Sequence, residues 1–209
     1  MTFRKLLRRS LKDERGSFSV EAILMFPLLA WAFMAMFVFF EGLRESNINL
    51  KATYTVADLL SREADELVSD NYLNGVHAIY TWLSRSPNPV QLRVTVVRYD
   101  DLDDEDPDTG THNLEWSRGI AGQPDLVQEN IASVITPHVP IMADSDIAIV
   151  VESWSTYVPI MEMGLQNTDM YNIVVTSPRF AGELNLEGMG DGTGDTHDDG
   201  TGSPDDHDV

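Results

Sequence analysis

The chain has no cysteine among its 209 residues. That excludes disulfides, thiolate metal sites and cysteine nucleophiles. Positive charge is also scarce, with 14 Lys and Arg against 34 Asp and Glu and a formal net charge of −20. The imbalance is uneven. Residues 1–40 carry six basic and three acidic groups, a net +3, while the remaining 169 carry eight and 31, a net −23. A body this acidic is repelled by nucleic acid and by anionic headgroups, so no nucleic-acid partner is expected. Signatures of catalysis are missing as well. No serine stands in a Gly-x-Ser-x-Gly setting. His77, His112, His138, His197 and His207 are scattered, without metal-ligand spacing. The carboxylates are abundant but form no recognisable catalytic pair, so an enzyme is not expected.

What is present is one long apolar run. Residues 22–40 (AILMFPLLAWAFMAMFVFF) are 19 positions without a charge and without a polar stripe. At about 1.5 Å per residue such a helix spans nearly the ~30 Å hydrocarbon core of a bilayer. A buried helix of a soluble core would keep one polar face. Arg4, Lys5, Arg8, Arg9, Lys12 and Arg15 all precede the run. The positive-inside rule therefore places the N-terminus in the cytoplasm and everything after about Glu41 on the far side of the membrane. A cleaved secretory signal is the competing reading, with Ala30-Trp31-Ala32 as a small-x-small site, but the run continues for eight residues beyond it.

Glu21 stands at the edge of this run, where a carboxylate is costly to bury and tends to be functional. Gly16 lies five residues before it, behind a basic stretch. Cleavage after Gly16 would give Ser17 a new α-amino group, and Glu21 would be the fifth residue of the shortened chain. There it could pair with the positive N-terminus of a neighbouring subunit, a pairing strengthened by lipid. The stretch Arg15-Gly16-Ser17-Phe18-Ser19-Val20-Glu21 resembles the class III signal of type IV pilins and pseudopilins. Extended through Ala22 to Phe26-Pro27-Leu28-Leu29, it resembles the TadE/TadG-like family of the tight-adherence (Flp) pilus assembly system. The likeness covers residues 12–45. It implies a prepilin peptidase acting between Gly16 and Ser17, an assembly role for Glu21, partners among other pilus-assembly subunits, and a bacterial inner membrane. Pro27, inside the span, removes one helical hydrogen bond and invites either a bend useful in subunit packing or plain tolerance.

Beyond the span, Leu43, Leu50, Tyr54, Ala57, Leu60, Ala64 and Leu67 recur at helical intervals with no Pro or Gly between Leu43 and Asn74. One long helix over residues 18–68 is expected, with Ser69-Asp70-Asn71 breaking it or capping a second helix over 72–84. Residues 90–99 (VQLRVTVVRY) alternate and are β-branched, and so read as a strand. An acidic turn over 100–112, a short returning strand over 113–117, a helix over 124–135 with Pro124 near its first turn, and strands over 147–158 and 171–176 follow, the last two joined by a loop over 159–170. Trp82, Trp116 and Trp154 read as core or sheet-face aromatics, with Trp116 facing inward. The order gives an α+β, pilin-like architecture, a long N-terminal helix on a small antiparallel sheet. Its parts are a basic leader (1–16), a transmembrane helix (17–42), an exported domain (43–187) and a disordered Gly/Asp-rich tail (188–209).

Asp104, Asp106, Asp108 and Glu115 occupy positions 1, 3, 5 and 12 of a twelve-residue EF-hand-like loop, a candidate Ca²⁺ site. Pro107 at position 4 and the glycine displaced to Gly110 favour a solvated hairpin turn instead. No other cofactor is expected. Two functions remain. One is a minor pilin or pseudopilin-like component of a tight-adherence system. The other is an uncleaved, membrane-anchored periplasmic binding module, cation-dependent through the acidic turn. The fate of the Gly16-Ser17 bond separates them.

Overall fold

A computed structural model describes residues 17–65, 67–101 and 110–188. Helix α1 (Ser17–Ser61) is followed by β1 (Leu67–Val68), α2 (Asp70–Ser84), β2 (Gln91–Asp100), β3 (Thr111–Ile120), α3 (Gln128–Val134), β4 (Ile147–Tyr157), β5 (Thr168–Thr176) and β6 (Asn185–Leu186). Four strands form an antiparallel sheet in the order β3-β2-β4-β5, and β1 and β6 make a two-residue parallel bridge. The chain is thus α+β, with the long N-terminal helix laid on a small antiparallel sheet.

Strand periodicity sorts the core into two layers. Leu92, Val94 and Val96 of β2, Ile149 and Val151 of β4, and Val174 of β5 turn toward α1 and α2, where they meet Ala52, Val56, Leu60, Leu73, Val76 and Tyr80. The alternate residues Val97, Ala148 and Val150 turn the other way, onto Leu126, Ile131, Ile135 and Val139 from α3 and its flanks. Both faces of the central strands are therefore covered, which is why β4 begins as a continuous apolar run, IAIVV, instead of alternating.

The ends of the elements have local causes. Ser69 is the N-cap of α2, its hydroxyl accepting from the Tyr72 N–H, and Asp70 in the first turn receives a two-pronged contact from Arg118 of β3. Arg85 closes α2 in a left-handed conformation. Helix α1 stops at Ser61, short of the expected residue 68. The Arg62 and Glu63 amides reach back three residues, to Leu59 and Leu60, and the Ser61 carbonyl accepts from Arg179 instead of from its own next turn. Leu67 and Val68 are consequently strand, paired to β6, and the stripe expected through Ala64 and Leu67 does not exist.

The packed face of α1 agrees with the expected stripe only at Ala57 and Leu60. Leu43 and Tyr54 are exposed, whereas Asn49, Ala52, Thr53, Val56, Ala57 and Leu60 are buried. Close approach of a helix to a sheet selects small side chains, so the bulkier residues on the adjacent face point outward. Strand β3 runs from Thr111, twice the expected length. Its alternation was hidden because the pairing skips Glu115 between Val96 opposite Trp116 and Val97 opposite Leu114. The bulge lets Leu114 join the α3 layer while Trp116 turns to the α1 layer. Trp116 is buried as expected and donates to the Leu184 carbonyl. Trp82, by contrast, is 75% exposed on α2 and is no core residue. Helix α3 starts only at Gln128, with Pro124 outside it, because the Leu126 amide and the Asp125 carboxylate are tied to Ser117 and the Gly119 amide of β3. Strand β5 begins at Thr168, inside the expected loop.

These assignments separate two faces of α1 experimentally. Leu60→Ala in the full chain should cost about 2–5 kcal/mol, as for other buried leucines. Tyr54→Ala, at an exposed position of the same expected stripe, should stay within about 0.5 kcal/mol. Denaturant unfolding in detergent micelles reads both, and a larger loss at Tyr54 would mean that the helix packs on the other face.

Candidate membrane anchor and domain junction

The N-terminal half of α1 carries no domain. Its most apolar 18-residue window has a mean hydropathy of 2.4 and is only 6% buried. Ile23, Leu24, Met25 and Phe26, four consecutive residues that together go around the helix, are all exposed, as are Phe33, Met36, Phe37 and Phe40 further along. One helix is therefore long and apolar enough to cross a membrane, and its surface is suited to hydrocarbon on all faces. Pro27 lies within α1, and the helix continues through it. Membrane helices accommodate this through neighbouring backbone adjustments. Glu21 is exposed at the start of the apolar stretch, and Ser17 lies within α1. Gly16 lies outside the described residues.

The bare half meets the domain at Gly42. A β-carbon placed there would lie 3.0 Å from the Leu165 side chain and 3.4 Å from the Tyr157 ring, so glycine lets the loop between β4 and β5 close on the helix. Tyr157 also donates to the Val38 carbonyl at 3.5 Å. Beside this contact is a cleft of about 370 Å³ lined by Phe39, Ser46, Tyr157, Leu165, Met170 and Asn172. One to three turns further on, the helix is held by a buried polar seam. The Thr53 and Ser153 hydroxyls are 2.7 Å apart, Tyr80 donates to Asn49 Oδ1 at 3.3 Å, and Asn49 Nδ2 lies 3.7 Å from Met170 Sδ. Burial raises the Glu45 carboxyl above its ordinary value, with Glu41 adding to the effect and Arg44 and Asn49 opposing it.

On the opposite face of the sheet lies a buried charge pair. Arg93 of β2 donates through Nε and Nη2 to both oxygens of Glu152 on β4, at 2.7 and 2.8 Å. The Tyr171 hydroxyl of β5 donates to the same carboxylate at 2.7 Å. The guanidinium lies 5.1 Å from the Trp154 ring centre, and Trp154 packs on Tyr171 at 5.3 Å. Desolvation and the neighbouring Glu152 push the Tyr171 hydroxyl well above its ordinary pKa. With both carboxylate oxygens engaged, by two guanidinium N–H groups and one hydroxyl, the cluster acts as a clamp across three strands. The sequence carried a partial signal for it, since Arg93 lies between Leu92 and Val94 and Glu152 is the one charge in IAIVVESWSTY.

Asp104, Asp106 and Asp108 lie outside the described residues. Glu115 is the unpaired residue of the β3 bulge, and its carboxylate is taken by Arg98, which also binds Glu183. Among the described residues no group of three or more His, Asp or Glu is placed to hold a metal. His112 is buried against Tyr99 at 5.2 Å, and burial lowers its pKa.

Removing one member of the clamp exposes its role. Glu152→Ala should cost about 3–5 kcal/mol by leaving Arg93 buried and unpaired, and the double change Arg93→Met with Glu152→Met should recover most of that loss. Thermal unfolding of the three chains tests this, and equal losses in the single and double variants would contradict it. No known protein family, curated protein or solved structure matches the chain.

Proposed function

We propose that the chain is a minor pilin or pseudopilin-like component of a tight-adherence (Flp) pilus assembly system. It is anchored in a bacterial inner membrane by α1, with its basic N-terminus in the cytoplasm and its acidic α+β domain on the far side. The observation that carries the reading is α1 itself, one continuous helix whose first half is bare and apolar and whose second half is built into a small sheet. A subunit of this design is stored in lipid and enters an assembly by exchanging lipid for the apolar flanks of its neighbours. The processing pattern Arg15-Gly16-Ser17 through Glu21 supports the same reading. Cleavage after Gly16 would free an amine on Ser17, four residues before Glu21. Glu21 of one subunit would then neutralise the amine of another inside the apolar bundle, where an unpaired charge is costly. Other assembly subunits and a prepilin peptidase are the implied partners, and the chemistry is assembly without turnover.

The test is the intact mass and N-terminal residue of the membrane-extracted protein from cells with and without a prepilin peptidase. A start at Ser17 that depends on the peptidase, blocked by Gly16→Val, is expected. Glu21→Ala should leave cutting largely intact and impair co-assembly. A chain beginning at Met1 in the presence of the peptidase would overturn the processing claim and leave the uncleaved anchored module as the better reading.

A further inference from the structure

The connection between β4 and β5 is unlike the rest of the exported surface. Residues 158–166 (VPIMEMGLQ) hold a single charge, Glu162, in a body whose net charge is −23 over 169 residues. Ile160 is 79% exposed, and Val158 and Met161 are exposed beside it. Large apolar groups clustered on one loop tip call for a cover. The loop's position says what that cover is. Gly164, at φ +91°, turns the chain back toward α1, where a β-carbon on it would lie 3.9 Å from the Phe39 ring, and Leu165 lies over Gly42. Phe39 and Phe40 close the apolar run, and Glu41 is the first charge after it. The loop tip therefore sits level with the end of the span. Tyr157 stands at the same level, with its hydroxyl on the Val38 carbonyl, as suits an aromatic with one apolar and one polar end at a membrane surface.

We infer that the β4–β5 loop is a second membrane contact, dipping Ile160 and Met161 into the headgroup–acyl boundary of the same bilayer that α1 crosses. This rests on the anchoring part of the proposed function and is independent of pilus assembly. The occupant is the uncharged, apolar level of a lipid surface. Glu41, Glu45, Glu162 and Asp169 around the loop disfavour anionic headgroups, so the contact is driven by apolar burial alone. One helix by itself leaves a domain free to swing about its exit point. A second contact fixes how the sheet faces the membrane, and leaving the bilayer then requires the loop to detach.

The absence of native cysteine allows a single reporter in the full chain. Ile160→Cys, and separately Met161→Cys, would be labelled with a polarity-sensitive fluorophore and placed in phosphatidylcholine vesicles with and without acyl-chain-brominated phosphatidylcholine. Leu29→Cys, in mid-span, and Arg62→Cys, roughly 30 Å beyond Gly42 along the helix, give the two limits. The inference predicts blue-shifted emission and bromine quenching at 160 and 161, intermediate between the limits. Quenching at 29 with water-like emission at 160 and 161 would overturn the loop contact while leaving the anchor intact. A blue shift at 160 and 161 without bromine quenching would overturn it too, since protein and not lipid would then cover the loop. An unquenched reporter at 29 would remove the anchor and this inference with it.

Discussion

The fit of α1 against β4 and β5 is the contact on which the rest of the structure depends. It is made by small side chains, with Gly42 beneath Leu165, Thr53 against Ser153, and Ala52, Val56 and Ala57 on the sheet. Such a seam brings the helix axis close and excludes water from the hydroxyls and amide it contains, which are satisfied by one another and by the Glu45 and Asn49 carbonyls of the helix. The helix that enters this seam is the one whose first half is bare and apolar. No flexible linker intervenes, because α1 is a single element of 45 residues, roughly 68 Å long. Whatever holds or moves the first half is passed directly to the sheet.

Two devices brace the sheet, one on its other side and one at the β3 edge. The clamp of Arg93, Glu152 and Tyr171 ties three adjacent strands through one carboxylate. A one-residue slip of β4 would move Glu152 to the wrong face and strand the guanidinium, so the clamp also fixes register. The bulge at Glu115 turns Trp116 into the α1 layer, where it binds the Leu184 carbonyl and draws the C-terminal segment onto the domain. The β1–β6 bridge closes the same region from the other end.

Much of this was legible in the sequence because it depends on periodicity. The apolar run, the alternating strands and the Ser69 cap carry their own local signals, and the order of elements followed from them. What was missed depends on tertiary partners. The buried face of α1 is defined by small residues that hydropathy ranks low, so the brighter stripe of Leu43, Leu50 and Tyr54 misled. Strand β3 was expected to end at Ser117, yet it continues through Arg118, whose guanidinium Asp70 satisfies. The two-residue strands β1 and β6 have no pattern of their own to read. Glu115, offered as the last ligand of a cation loop, pairs with Arg98, 17 residues earlier, a contact that no local pattern announces. Trp82 shows the converse, a large aromatic that helical spacing leaves on the outside of α2.

The central claim is that α1 runs as one rod from the lipid into the domain. Amide hydrogen exchange of the full chain in lipid nanodiscs tests it most directly. Slow exchange should extend without interruption through residues 38–49, joining the protected span to the protected half packed on the sheet. Rapid exchange at residues 41–48 with protection on both sides would show a hinge there, and would contradict the direct coupling of membrane anchor and sheet.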